Sequence, residues 1–215
     1  MNLDRIFLSE SHPCGKELHY VQHALEAKAI TSGGNVVRDF EEDLECYLGN
    51  SVIVNATNSG TSAIHLGLLL LGVKPGDEVI CQSMTFSASV NPILYIGASP
   101  VFVDSELDTW NMCPIALEEA IQDRISKGKK PKCIIVVDLY GMPYHADRIN
   151  EVANKYGIAV LEDSAEALGS RYKGVPCGTL GDIGVFSFNG NKIITTSSGG
   201  ALLLSDASQK ERAAF

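Results

Sequence analysis

The chain has 215 residues, 45% of them hydrophobic, and a formal net charge of −9. Its length supports one sizeable core, and the excess of 26 Asp and Glu over 17 Lys and Arg excludes a nucleic-acid binder, which needs clustered basic residues. No apolar run is long enough for a bilayer, no secretory leader is visible, and six widely spaced cysteines lack any Cys-x-x-Cys pair, so a cytoplasmic protein with reduced thiols is expected.

In chain order, Phe40, Leu44 and Tyr47 share helical spacing and predict a helix over Phe40–Tyr47. The run Ser51–Asn55 predicts the first strand. Thr61–Leu71 is apolar on almost every side and predicts a buried helix, with His65 as a core residue. Strands follow at Glu78–Gln82 and Pro100–Val103. Pro114, tolerated in a first helical turn, opens a helix to about Ser126. Lys127, Lys129, Lys130 and Lys132 read as a solvated loop before a strand at Cys133–Asp138, and Cys81 and Cys133 as core thiols. An amphipathic helix at Ala146–Tyr156 precedes strands at Ile158–Glu162, Ile183–Phe188 and Gly200–Ser205. Gln209–Phe215 reads as the opening of another helix.

Alternating strands and helices, with Val- and Ile-rich strands buried on both faces, predict an α/β fold. It is a three-layer α/β/α domain with a mostly parallel, seven-stranded sheet. Sites in such sheets form in loops at the carboxyl ends of the strands. Four motifs fall there.

The first, Asn55-Ala-Thr-Asn-Ser-Gly-Thr-Ser62, offers small residues, hydroxyls and a helix N-terminus, which suits a phosphate. An ordinary helix cap explains it equally simply. In the second, Ser83-Met-Thr-Phe-Ser-Ala-Ser89, Phe86 is either a ring that stacks on a flat cofactor or a core phenylalanine. In the third, Leu161-Glu-Asp-Ser-Ala-Glu-Ala-Leu-Gly169, a carboxylate at the end of an apolar strand is costly without a positive partner. A protonated pyridine nitrogen would suit Asp163; a capping Asp or a metal ligand are the rival readings, and the carboxylates lack a recognisable ligand spacing. In the fourth, Val185-Phe-Ser-Phe-Asn-Gly-Asn-Lys-Ile-Ile-Thr-Thr-Ser-Ser-Gly-Gly200, Lys192 lies between apolar strands with nothing acidic near it in sequence. A desolvated amine of that kind suits Schiff-base chemistry. The surroundings are neither a P-loop nor a dinucleotide fingerprint. Together the four supply a phosphate cradle, a stacking ring, a carboxylate and an amine, the groups that pyridoxal 5′-phosphate requires.

The sequence resembles the DegT/DnrJ/EryC1/StrS sugar aminotransferases of the fold-type I architecture. The resemblance is carried by Leu8-Ser9, Ile30-Thr-Ser-Gly-Gly-Asn-Val-Val-Arg-Asp-Phe-Glu41, Asn58-Ser-Gly-Thr-Ser-Ala-Ile-His-Leu66, Thr85-Phe86, Glu162-Asp-Ser-Ala-Glu-Ala-Leu-Gly169 and Phe186-Ser-Phe-Asn-Gly-Asn-Lys192. Asn189-Gly-Asn-Lys-Ile-Ile-Thr-Thr196, with Glu166, looks most like enzymes acting on UDP-4-keto-6-deoxy-N-acetylglucosamine for surface glycans of the N-acetylbacillosamine type.

The resemblance implies that Lys192 carries the cofactor and shuttles a proton, that Asp163 keeps the pyridine nitrogen protonated, and that Phe86 stacks on the ring. It implies phosphate contacts from Thr61, Ser62 and Ser187, with Gly60 allowing close approach. Glu166 stands where many relatives carry His or Gln beside the cofactor's 3′ oxygen. Relatives that dehydrate sugars carry histidine in place of the lysine, so Lys192 implies transamination, from L-glutamate to the C4 ketone of a nucleotide-linked sugar. Residues 1–215 correspond to the large, cofactor-binding domain without the family's smaller C-terminal domain, and a homodimer is implied. Alternatives are a C3 keto-sugar as acceptor, a catalytically silent cofactor-binding module, and a nucleotide-binding α/β domain. His145, in a loop after a strand, is a possible substrate contact.

Overall fold

The structure, a computed structural model, describes residues 12–29, 31, 34–50 and 52–213. The Leu8-Ser9 part of the resemblance, Ile30, Ser32 and Gly33 within the second stretch, Ser51 and the last two residues lie outside them.

Seven five-residue strands form one sheet: β1 (Ile53–Thr57), β2 (Glu78–Gln82), β3 (Ser99–Val103), β4 (Cys133–Val137), β5 (Ala159–Asp163), β8 (Ile183–Ser187) and β9 (Gly200–Leu204). Their order is β1-β9-β8-β5-β4-β2-β3. Two further strands, β6 (Arg171–Tyr172) and β7 (Val175–Pro176), make a small separate hairpin. All pairings from β8 to β3 are parallel, and β9 alone runs against its two neighbours. The reversal follows from the connection: residues 188–199 hold no helix, and β9 turns back directly beside β8, with Ser187 opposite Gly200.

Helices are α1 (Glu17–Glu26), α2 (Asn35–Tyr47), α3 (Gly60–Leu70), α4 (Asn91–Tyr95), α5 (Pro114–Ser126), α6 (Ala146–Tyr156) and α7 (Ala207–Ala213). Successive strand residues face opposite sides, and the two cores divide accordingly. Val79, Cys81, Cys133, Ile135 and Leu161 pack with Ala63, Ile64 and Leu68 of α3 and Ile93 of α4. Ile80, Ile134, Val136 and Val160 pack with Leu117 and Ile121 of α5 and Ile149 and Ala153 of α6. Helices therefore cover both faces of the sheet, the expected three layers.

At the open edge, α2 covers β1. Its Glu41 and Glu45 carboxylates accept from the backbone N–H of Ala56 and Val54, each at 2.8 Å. That satisfies donors an edge strand otherwise exposes.

All seven sheet strands and the α2, α3, α5 and α6 segments match the sequence expectation within a few residues, whereas α1, α4 and the β6–β7 hairpin were not anticipated. Two expectations for α3 need correction. Leu69 is exposed, and His65 is only half-buried, edge-on to the Tyr95 ring at 5.8 Å. None of the six cysteines is in a disulfide; Cys81 and Cys133 are fully buried core thiols. Among the described residues no helix is long and apolar enough to cross a membrane.

Candidate active site

A cavity of about 620 Å³ opens at the carboxyl ends of the parallel strands. Each element delivers a part. The first turn of α3 brings Ser59, Gly60 and Thr61; the segment after β2 brings Met84–Phe86 and Ser89; Leu139 and Tyr140 follow β4. Asp163, Ala165 and Glu166 come from the end of β5, and Ser187, Asn189 and Lys192 from the end of β8. Of the eight residues singled out from sequence, Gly60, Thr61, Phe86, Asp163, Glu166, Ser187 and Lys192 line this cavity. Ser62 does not: its hydroxyl pairs with Ser59 Oγ at 2.9 Å and its N–H donates to the same atom, so it belongs to the cap of α3.

The α3 terminus is packed too tightly for any residue but glycine at two points. A Cβ on Gly60 would lie 2.9 Å from the Ser187 Cβ, and one on Gly200 would lie 2.4 Å from the Ser59 carbonyl carbon. The absence of side chains therefore draws β8, β9 and the helix start together. Close approach of an anion to Gly60 is a by-product of that packing. N–H groups in a first helical turn lack intrahelical acceptors. With the hydroxyls of Ser59, Thr61 and Ser187 in the same wall, the cradle fits a phosphate.

Asp163 is 4% exposed, yet its side chain lines the cavity. Ser89 Oγ donates to Oδ2 at 2.6 Å and the Ala165 N–H to Oδ1 at 3.2 Å. Burial pushes the carboxyl above its usual range, and these two donors pull it back. A cation in the cavity would offset that burial, so the residue fits a protonated ring nitrogen. Phe86 is 75% exposed, which excludes the core-phenylalanine reading and leaves a ring face available at the cavity wall.

Lys192 has a partner that is distant in the chain. Sequence showed nothing acidic near it, but Nζ donates to Glu166 Oε1 at 3.0 Å, with only 13% of the lysine side chain exposed. The amine is sheltered and paired. Glu166 Oε2 in turn accepts from the Tyr140 N–H at 3.1 Å. Tyr140 has a left-handed backbone, φ 51°, uncommon outside glycine, and this conformation accompanies the inward-pointing N–H.

Ser89 and Tyr140 are site residues that sequence reasoning missed. Ser89 lies within the quoted second motif, but its partner is 74 residues away and no local pattern reveals it. The third motif's carboxylates also separate. Glu162 faces the opposite side of β5, where it accepts from the N–H of Gly178, Leu180 and Gly181. His145 is not among the cavity residues; its Nε2 lies 3.8 Å from Glu106 and 3.9 Å from Asp108.

Residues 14–215 match the model of the DegT/DnrJ/EryC1/StrS aminotransferase family. The chain is 50% identical over 211 residues to EpsN of Bacillus subtilis (strain 168), whose name describes a pyridoxal phosphate-dependent aminotransferase. The alignment spans 98% of this chain and 54% of that protein. It is 43% identical over 198 residues to a GDP-perosamine synthase of Escherichia coli O157:H7, spanning 92% of this chain and 52% of that one. Spr1654 of Streptococcus pneumoniae, described as a sugar aminotransferase and solved in a PLP form, superposes with a TM-score of 0.87 at 34% identity, over 97% of this chain and 56% of that one. The chain thus spans about half the length of the relatives it matches.

Proposed function

The chain belongs to the DegT/DnrJ/EryC1/StrS aminotransferase family, whose cofactor is pyridoxal phosphate, and on that premise we propose that residues 1–215 form the cofactor-binding large domain of a sugar-nucleotide aminotransferase. The amino group passes from L-glutamate to the C4 ketone of a nucleotide-linked 4-keto-6-deoxy sugar, of the UDP-4-keto-6-deoxy-N-acetylglucosamine type, for surface polysaccharide. One observation carries the reading. A sheltered lysine amine and a buried carboxylate without a cationic hydrogen-bond partner line one cavity, whose wall also holds a helix N-terminus rich in hydroxyls.

When bound, the cofactor supplies an electron sink that stabilises negative charge on the carbon losing its proton. The protein's residues do the rest. Lys192 holds the cofactor through Nζ and moves the proton, which requires a neutral amine at that moment. Glu166 keeps Nζ inside the cavity. Asp163 holds the proton on the ring nitrogen, and Ser89 keeps that carboxylate ionised and oriented. Ser59, Thr61 and Ser187 grip the phosphate at the start of α3, with Ser62 stiffening the cap. Phe86 covers one face of the ring. Phe86 and Tyr140 line the cavity and are exposed, and Ile193 and Ile194, which follow Lys192 in the chain, are exposed as well; this apolar exposure supports a homodimer whose partner covers it.

The relative named as a GDP-perosamine synthase supports a nucleotide-linked sugar as the acceptor class. The test is an absorption spectrum of the protein with pyridoxal phosphate, before and after L-glutamate, followed by a panel of C3 and C4 keto-sugars on UDP, GDP and TDP. The expected result is a cofactor band that glutamate shifts and that a UDP-linked C4 ketone restores. A band that glutamate leaves unmoved would mean a silent binding module, and no band would overturn the cofactor assignment for this chain. Borohydride reduction should label Lys192, and Lys192→Ala should abolish the label.

A further inference from the structure

On the other face of β5 from Asp163 lies a buried set of ionisable groups that amino transfer does not use. Asp138, at the end of β4, and Glu162 are both 0% exposed, and a carboxylate oxygen from each lies within 4.8 Å of the other and of Cys177 Sγ. No ion pair reaches either carboxyl among the described residues. Tyr144, also fully buried, faces both, as does the neutral hydroxyl of Ser164.

Two ionised carboxylates cannot share so small a dry space. The surroundings decide which one keeps the charge. Glu162 Oε1 accepts from the Gly178 N–H at 2.7 Å and from Ser164 Oγ at 3.2 Å, while Oε2 accepts from the N–H of Leu180 at 2.7 Å and Gly181 at 3.0 Å. Four donors stabilise an anion there. Asp138 has one backbone donor, the Tyr144 N–H at 3.2 Å; because Ser164 has a single hydroxyl hydrogen, a protonated Asp138 donates to Ser164 Oγ at 2.6 Å and leaves that hydrogen for Glu162. Burial first, and the Glu162 charge second, drive the Asp138 carboxyl far above its usual range. A cation is disfavoured, because both Glu162 oxygens already face N–H donors.

The pair lies at the root of two cavity walls. The Asp138 N–H donates to the Asp163 carbonyl at 3.1 Å, and Asp138 leads directly into Leu139–Gly141, whose Tyr140 N–H holds Glu166. Ser164, which bonds both carboxyls, follows Asp163 in the chain.

We propose that Asp138 and Glu162 share one proton, carried by Asp138, and that this neutral–ionised pair is a positioning device that locks the loop after β4 to the loop after β5 beneath the cofactor site. Asp138 and Glu162 are positioning residues, since neither lines the cavity.

Infrared difference spectroscopy of the whole chain without cofactor tests the proton directly. A carbonyl band of a protonated, buried carboxylic acid is expected at neutral pH, absent in Asp138→Asn and retained in Asp163→Asn. A titration with pyridoxal phosphate tests the positioning. Asp138→Asn, whose amide donates where the protonated carboxyl does, should keep the cofactor affinity. Glu162→Gln, which turns an amide NH2 toward backbone donors, should weaken it roughly tenfold or fail to fold. The idea is overturned by a wild type without the band, by a band that survives in Asp138→Asn, or by an Asp138→Asn chain that does not fold or binds cofactor as poorly as Glu162→Gln. The band needs no cofactor, so its absence is distinguishable from a failure of the amino-transfer reading, on which only the affinity measurement rests.

Discussion

Ser89 illustrates how far a single hydroxyl reaches in this site. Its 2.6 Å bond to Asp163 favours the ionised form of a carboxyl that burial pushes the other way. Removing it in Ser89→Ala should raise the Asp163 pKa further and leave more of that residue neutral at mildly acidic pH. Cofactor affinity is expected to fall by about 1.5–3 kcal/mol, the cost of a lost hydrogen bond to a charged group. The loss should grow as pH is lowered toward the titration range of this carboxyl, which burial has raised. An absorbance titration across that range checks it, and a pH-independent loss would disconnect Ser89 from the Asp163 charge. Glu166 acts on the other side. With Oε1 on Lys192 and Oε2 on the Tyr140 N–H, Glu166→Ala frees both. Slower labelling of Lys192 by borohydride reduction is the expected result, as the amine is no longer held in the cavity.

At the scale of elements, the junction of α3 with β8 and β9 governs the phosphate cradle. Gly60→Ala meets the Ser187 Cβ at 2.9 Å, whereas Gly200→Ala meets backbone atoms of Ser59 and Gly60 at 2.4 to 2.6 Å, a deeper overlap. Overpacking of this kind costs about 1–3 kcal/mol. Gly200→Ala should therefore lower the thermal unfolding midpoint more than Gly60→Ala does, while both weaken cofactor binding. Equal effects on the midpoint would show that the junction is looser than its contacts indicate. The β5 strand shows the same economy of placement. Alternate residues serve different purposes, with Asp163 turned to the cavity and Glu162 to the Gly178–Gly181 loop.

For the molecule as a whole, the buried carboxyls set the pH dependence of stability. Asp138, Glu162 and Asp163 all have raised values caused first by burial. The folded chain therefore binds protons that the unfolded chain has released, and stability falls as pH rises from the unfolded carboxyl value of about 4 through the folded ones. Glu78 works in the opposite sense. Its hydrogen bonds to Arg124, at 2.6 and 2.7 Å, hold it low, and its contribution is lost as pH falls through that lowered value. The cofactor-free chain should thus unfold at a higher temperature in weak acid than at pH about 8, and Asp138→Asn should flatten that slope. Thermal melts over the range decide the matter, and an unchanged slope in the variant would remove Asp138 as its source.

Much was legible from the chain alone because strand and helix periodicity is local. Seven apolar runs bounded by Gly, Pro and Asp became seven strands, and motifs at their carboxyl ends converged on one cavity, since parallel strands must present those ends together. Short elements were not legible: α4 has only five residues and β6 and β7 two each, too few to show a period. The reversal of β9 and the assignment of Ser62 to a helix cap also depended on packing. Above all, the sequence by itself determined which chemical groups are present, an amine, carboxylates, hydroxyls and a ring. Only the tertiary structure decided their partners: Lys192 with Glu166, Ser89 with Asp163, and Asp138 with Glu162. The physical reason is that charge and proton position depend on burial and on neighbours across 24 to 74 residues of chain, here between β4 and β5 and between the β2 and β5 loops, and no local pattern encodes a distance through space.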